Sequence, residues 1–104
     1  MNRDELLSEA RSTLESAFRG RLRGIVLYGS EARGTARPDS DIDLLVLLDG
    51  PVDLGKDIDT AIKALYPMST RLERHISAMP VDAEEYESVD CPLYQEAHRE
   101  GVMA

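Results

Sequence analysis

The spacing of apolar residues predicts two long helices. From Asp4 to Phe18, apolar residues recur at helical intervals, and Asn2 followed by Glu5 three residues later is typical of a capping box at a helix start. A second helical stripe runs from about Asp53 to Tyr66. Pro67 follows directly and is expected to end this helix, because proline lacks the amide hydrogen that a helix interior uses.

Shorter apolar runs predict three strands. Ile25–Tyr28 is rich in β-branched and aromatic types and stops at Gly29, and a second run extends from Asp41 to Leu48. The alternating segment Leu72–Met79 predicts a third strand, with one apolar and one polar face. Its polar face carries Glu73, His75 and Ser77.

The end of the chain predicts two further helical segments. Asp82 and Glu85 form a capping pair at the start of a short acidic helix, and Pro92 suits the first position of a last helix that Gly101 would end. Together these elements predict an α/β (α+β) fold. We expect residues 1–104 to form one domain, a small mixed sheet of three to four strands with helices on one face.

Charge and composition narrow the classes of function. The net charge is −8, which disfavours an extended nucleic-acid footprint, because such footprints are basic. The longest apolar run, Leu44–Leu48, is far too short for a membrane span. Cys91 is the single cysteine and the N-terminus shows no apolar leader, so we expect a cytoplasmic protein. A chain of 104 residues is small for an enzyme that grips a large substrate, so a partner is plausible.

The candidate chemistry lies at the two ends of the loop between the first two strands. Gly29 lets the backbone approach a ligand, and Ser30 adds a hydroxyl and, if it begins a helix, free amides that bind phosphate. At the other end, strand alternation places Asp41 and Asp43 on one face with backbone positions roughly 7 Å apart. Paired carboxylates suit magnesium. The alternative is that both pairs are ordinary turn residues.

Three further loop residues have two interpretations each. Arg33 and Arg37 could neutralise a triphosphate, or they could pair with the acidic residues of the loop. Ser40 could contact phosphate or cap the turn that precedes the second strand.

The spacing of these residues resembles a known family. Gly29-Ser30, ten intervening residues and then Asp41-x-Asp43 is similar to the signature of the DNA polymerase β nucleotidyltransferase superfamily. The segment GSEARGTARPDSDIDLLV resembles the corresponding segment of the minimal nucleotidyltransferases. The tail from Pro92 to Val102 resembles the helix that closes many of these domains.

The resemblance implies a function. Such a protein would use Mg²⁺ or Mn²⁺ and ATP to transfer AMP, or another nucleoside monophosphate, to a hydroxyl group. The acceptor would be a tyrosine of a helical HEPN toxin, which makes this chain the antitoxin. The alternative is an inactive antitoxin of the same fold that only occludes its partner. A third hypothesis, modification of a small molecule, is less favoured because we expect no second domain that could enclose such a substrate.

The resemblance also implies a third carboxylate on a later strand. Glu73 is the acidic residue of the predicted third strand, so it is the candidate for the third catalytic and metal-binding position beside Asp41 and Asp43. If Glu73 does not fill that position, His75 could serve as the base near neutral pH.

Overall fold

The computed structural model describes residues 2–29, 32, 34, 37, 40–88 and 101–104. Along the described chain the elements are α1 (Arg3–Phe18), β1 (Leu22–Tyr28), β2 (Ile42–Leu48), α2 (Leu54–Leu72), β3 (Ile76–Asp82), α3 (Ala83–Ser88) and β4 (Val102–Met103). The capping box predicted for the first helix is confirmed, since the Asn2 side chain accepts a hydrogen bond from the Glu5 amide at 2.8 Å.

The four strands form one mixed sheet in the order β3-β2-β1-β4. β1 is antiparallel to both β2 and β4, whereas β2 and β3 are parallel and are joined through α2. The predicted mixed sheet of three to four strands is therefore confirmed. The two-residue strand β4 was not predicted, because a strand of that length has no recognisable alternation.

The two faces of the sheet carry different layers. The larger core contains apolar residues of α1 and α2 packed on one face, against alternate side chains of β1 and β2 such as Ile25, Leu44 and Val46. The opposite face carries a smaller cluster in which Tyr86 of α3 is buried, and its other members are Val26, Leu45, Leu47 and Val81. The main helices thus cover one face as predicted, and α3 covers part of the other.

The second helix and the third strand differ from their predicted bounds. α2 does not end before Pro67 but continues to Leu72. Met68 is buried and Leu72 packs against the core, so apolar contacts beyond the proline extend the buried stripe. Pro67 itself is exposed. The third strand consequently begins at Ile76, four residues later than predicted.

A partly buried ion pair ties the start of β1 to the start of α2. Asp57 is 2% exposed and receives two hydrogen bonds of 3.0 Å from the guanidinium of Arg21. The amide of Asp53, the N-cap of α2, donates to Asp57 as well, at 3.1 Å. Arg21, which the sequence analysis did not single out, is thus a structural residue at the end of β1 remote from Gly29.

The last predicted helix, from Pro92, lies outside the described residues. None of the helices in the described part of the chain is long and apolar enough to cross a membrane.

Candidate active site

Asp43 lies in a polar row that crosses three strands. It is in register with Tyr28 of β1 and with Ser77 of β3. Residues in register on neighbouring strands point to the same face of a sheet. Tyr28 packs against the smaller core cluster, which identifies this face as the one opposite α1 and α2. Asp43 is half-buried there.

Gly29 lies directly against the carboxylate of Asp43. Its φ is +75°, in the region that favours glycine, and it follows the last residue of β1. A Cβ atom at this position would be 2.7 Å from Oδ2 of Asp43, closer than such atoms approach in proteins. The absence of a side chain at position 29 therefore lets the backbone turn beside the carboxylate. This contact joins the two ends of the loop, as the predicted site requires.

Asp41 lies at the entrance to β2, one residue before the strand begins, and its side chain is exposed. Two residues before Asp43, it belongs by alternation to the same face of the sheet. The amide of the next residue, Ile42, donates to the carbonyl of His75 at 2.9 Å and so starts the pairing of β2 with β3. The two predicted metal-binding carboxylates therefore have different surroundings, one exposed and one half-buried.

The loop residues of the predicted nucleotide site are described in part. Arg37 and Ser40 close a turn on each other: the Arg37 amide donates to the Ser40 hydroxyl at 2.8 Å, and the Ser40 amide donates to the Arg37 carbonyl at 3.0 Å. Ser40 thus caps the turn, one of its two predicted roles. Gly34 has a φ of +76°. Ser30 and Arg33 lie outside the described residues.

Glu73 does not lie on a strand, so its predicted position is wrong. It ends α2 in the left-handed conformation, with φ 54° and ψ 38°, and its amide bonds to the carbonyls of Ser69 and Thr70. His75 likewise precedes β3 and is exposed. The residue of β3 in register with Asp43 is Ser77. The catalytic role of Glu73 stays a prediction, but one that its place in the fold does not support.

The oxygen ligands present suit a hard divalent cation. Asp41 and Asp43 supply carboxylate oxygens, the ligands that Mg²⁺ binds in proteins, and Mg²⁺ keeps waters and substrate phosphates in its remaining positions. Across the described residues, no three His, Cys, Asp or Glu side chains come together as a metal site. The set Asp41, Asp43 and Glu73 is therefore not assembled. A site of two carboxylates completed by nucleotide phosphates fits the residues present.

Tyr28 has a perturbed phenol beside the carboxylate. Burial raises the pKa of Tyr28, and the negative charge of Asp43 raises it further. The phenol therefore remains protonated at neutral pH and keeps its ability to donate a hydrogen bond. Its position makes it part of the wall of the candidate site.

Three residues near the site were not predicted from the sequence to belong to it. Tyr28 and Ser77 follow from strand register, which needs exact strand bounds, and the bounds of β3 were misplaced. The third is Arg74, whose Nε donates to the Ser40 carbonyl at 2.8 Å. No sequence signal links two residues 34 positions apart, so this contact could be found only in the structure.

Known proteins resemble this chain in sequence or in fold. A relative from Methanocaldococcus jannaschii, named as an inferred protein adenylyltransferase, is 42% identical over 65 residues, which make up 62% of this chain and 63% of the relative. A structure of a toxin–antitoxin with AMP-PNP matches with a TM-score of 0.65 and 21% identity, covering 91% of this chain and 69% of that one. A structure described as an inferred minimal nucleotidyltransferase matches with a TM-score of 0.62 and 22% identity, covering 98% and 95%.

The two structural matches, at 21% and 22% identity, show the fold alone, and they confirm the predicted fold class. The chain spans less than two thirds of the length of the archaeal relative. A family model described as the nucleotidyltransferase domain matches residues 7–100 of the 104, which includes every residue of the candidate site. The resemblance noted in the sequence is thereby confirmed, and the chain belongs to the nucleotidyltransferase domain family.

Proposed function

We propose that this domain transfers AMP, or another nucleoside monophosphate, from a nucleoside triphosphate to a hydroxyl acceptor, with ATP as the donor and Mg²⁺ or Mn²⁺ as the cofactor. The observation that carries the proposal is the approach of Gly29 to Asp43, where a Cβ atom would stand 2.7 Å from the carboxylate. It brings the predicted phosphate-binding turn next to the predicted metal ligands. Nucleotidyl transfer requires both in one place.

The residues have separate roles in this reaction. The acceptor oxygen bonds to the α-phosphorus as the bond to the bridging oxygen breaks, so pyrophosphate leaves and the proton of the hydroxyl passes to solvent water. Asp41 and Asp43 would hold the cation, which when bound neutralises phosphate charge and aligns the attacking and leaving oxygens. The turn at Gly29 and Ser30 would bind phosphate through amides and a hydroxyl. Arg33 and Arg37 would balance its remaining charge.

We further propose that the acceptor is a tyrosine of a partner toxin of the HEPN type. Two comparisons support a protein acceptor: the archaeal relative is named for protein adenylylation, and one structural neighbour is a toxin–antitoxin with AMP-PNP. The net charge of −8 agrees with a protein acceptor better than with a nucleic acid. In this proposal the chain is the antitoxin.

One observation favours a second candidate function, an inactive antitoxin that binds and occludes its partner. The residue of β3 beside Asp43 is Ser77, which cannot take a proton from the acceptor as a carboxylate would. A chain without a base at this position would transfer AMP slowly or not at all.

Mass spectrometry of the reconstituted pair separates the two functions. The chain is incubated with the proposed HEPN-type partner, ATP and Mg²⁺, and both intact proteins are weighed. We expect the partner to gain one or more adenylates, on a tyrosine identified by peptide mapping. The matched control replaces both Asp41 and Asp43 with Asn, which conserves volume but removes the ligand charges.

Each outcome decides between the functions. Adenylate on the partner with the wild type but not with the double variant supports the enzyme. A stable complex without a change of mass supports the inactive antitoxin. Equal adenylation by the wild type and the double variant contradicts the assignment of the two aspartates.

A further inference from the structure

The backbone of Asp41 is held on both sides. Two peptide groups flank its Cα atom, and each forms a hydrogen bond to the segment between α2 and β3. The carbonyl of the preceding peptide, that of Ser40, accepts from Nε of Arg74 at 2.8 Å. The amide of the following peptide, that of Ile42, donates to the carbonyl of His75 at 2.9 Å. Fixing both peptide planes fixes the direction in which the Asp41 side chain leaves the backbone.

Arg74 is itself firmly placed by the end of α2. Its amide donates to the carbonyl of Ser69 at 3.2 Å, and the Ser69 hydroxyl donates to the Arg74 carbonyl at 2.5 Å. The left-handed Glu73 between them completes a Schellman-type helix end, with its own amide bonded to Thr70 at 3.2 Å. The guanidinium therefore reaches Ser40 from a fixed origin, and the contact is partly buried.

The same carbonyl belongs to the turn that ends the loop. Ser40 closes that turn with Arg37 through two hydrogen bonds. A donor on the Ser40 carbonyl thus holds the turn and the peptide before Asp41 together. A hydrogen bond from a charged donor in a partly buried place is stronger than a neutral one on the surface.

We propose that Arg74 is a positioning residue for the metal site: it holds the Ser40–Asp41 peptide so that the Asp41 carboxylate stands where it meets the same cation as Asp43. The inference rests on the proposed function, since it presupposes that these carboxylates bind metal. It gives Arg74 a role that acts through its contact with the Ser40 backbone. Without Arg74, Asp41 keeps its charge and the hydrogen bond of the Ile42 amide, but the peptide that precedes it is no longer held.

Binding of Mn²⁺ in the presence of a non-hydrolysable ATP analogue tests the inference without relying on activity. Free Mn²⁺ is measured by electron paramagnetic resonance for the wild type, Arg74→Ala and Arg74→Lys. We expect about tenfold weaker Mn²⁺ affinity in Arg74→Ala, the effect of losing one charge-assisted hydrogen bond. Arg74→Lys should be intermediate, because it retains the charge but not the planar Nε donor. Millimolar guanidinium ion should restore part of the affinity of Arg74→Ala.

Arg71→Ala is the matched control. Arg71 lies in the last turn of α2, three residues before Arg74, but pairs with Glu9 of α1, so its loss should leave Mn²⁺ affinity unchanged. Melting curves show whether each variant folds, and Arg74→Lys carries the test if Arg74→Ala does not. Wild-type affinity in a folded Arg74 variant overturns this inference alone. Failure of the wild type to bind Mn²⁺ overturns the proposed function and this inference with it.

Discussion

The backbone of Gly29 lies so close to Asp43 that a Cβ atom at position 29 would stand 2.7 Å from the carboxylate oxygen Oδ2. The contact relates the end of β1 to the start of β2 across the antiparallel pair, where Tyr28 is in register with Asp43. It explains why a glycine is needed at the end of β1. The position combines a left-handed φ of +75° with the need for space beside an anion.

Replacing Gly29 with Ala should therefore harm the site more than it harms the fold. The new methyl group would push the Asp43 carboxylate away, so we expect nucleotide affinity in the presence of Mg²⁺ to fall at least tenfold, an effect comparable to losing one hydrogen bond to a charged group. The left-handed backbone should also cost about 1–2 kcal/mol of folding stability. Isothermal titration with Mg²⁺ and a non-hydrolysable ATP analogue, beside a thermal melt, measures both effects.

Gly34→Ala is the control for the energetic cost of placing alanine in a left-handed backbone conformation. Gly34 has nearly the same φ, +76°, but a Cβ atom there would meet nothing within 4 Å among the described atoms. The two variants share the conformational cost, and only Gly29→Ala adds the contact with Asp43. Equal nucleotide affinities in the two variants would mean that the closeness of Gly29 and Asp43 has no role in binding.

Glu73→Gly separates the helix-ending role of this residue from the predicted catalytic one. Glu73 adopts φ 54° and ψ 38°, which glycine adopts without the strain of a side chain. We expect the variant to be more stable, by up to about 1 kcal/mol, and to bind Mg²⁺ and nucleotide as the wild type does. Thermal melts and the same titration measure both quantities.

Glu73→Ala keeps the strained backbone but removes the carboxylate. It should therefore show wild-type binding without the gain in stability. If both variants lose metal binding or transfer of AMP, Glu73 belongs to the site in spite of its position and is its third carboxylate.

The Arg21–Asp57 pair predicts how stability depends on pH. The hydrogen bonds from Arg21 hold the pKa of Asp57 below its ordinary value, while burial opposes this shift. A carboxyl group with a lowered pKa in the folded state stabilises the fold above its unfolded pKa, about 3.9. That contribution is lost as the pH falls through the folded value. Asp57→Asn should cost about 1 kcal/mol at neutral pH, because it removes the charge that pairs with Arg21 while the Arg21 side chain, 41% exposed, remains partly solvated.

Melting curves of the wild type and Asp57→Asn across the acid range test this prediction. The difference between them should narrow as the pH falls below about 4. Asp59→Asn is the control, since Asp59 pairs with Lys63 on the exposed face of the same helix and should cost little at any pH. A difference between the wild type and Asp57→Asn that stays constant down to the acid limit would contradict the role of this charge.

The sequence predicts those parts of the fold whose signals are local. The capping box of α1, the two strands around the loop and the spacing of Gly29 from Asp43 are all visible as patterns. Prediction failed where distant packing decided the outcome. Pro67 signals a helix end, but the burial of Met68 continues the helix beyond it, and the misplaced end shifted the third strand.

The same shift explains the error at the candidate site. A strand that begins four residues too early turns Glu73 into a strand residue, although the alternation from Ile76 onward was predicted correctly. Which residue of β3 lies beside Asp43 depends on register, and register depends on the connection through α2. The contact of Arg74 with Ser40 has no local signal of any kind.

In the proposed function, Asp41 and Asp43 hold a divalent cation together with a nucleotide. The most direct test is a calorimetric titration of a non-hydrolysable ATP analogue into the wild type, Asp41→Asn and Asp43→Asn, each with Mg²⁺ and with a chelator. Asparagine conserves the volume of aspartate and removes a ligand charge. We predict that Mg²⁺ strengthens binding of the analogue to the wild type and has no such effect on Asp43→Asn, with melting curves showing both folded. Equal Mg²⁺-dependent binding by the wild type and both variants would contradict the metal site and, with it, the proposed function.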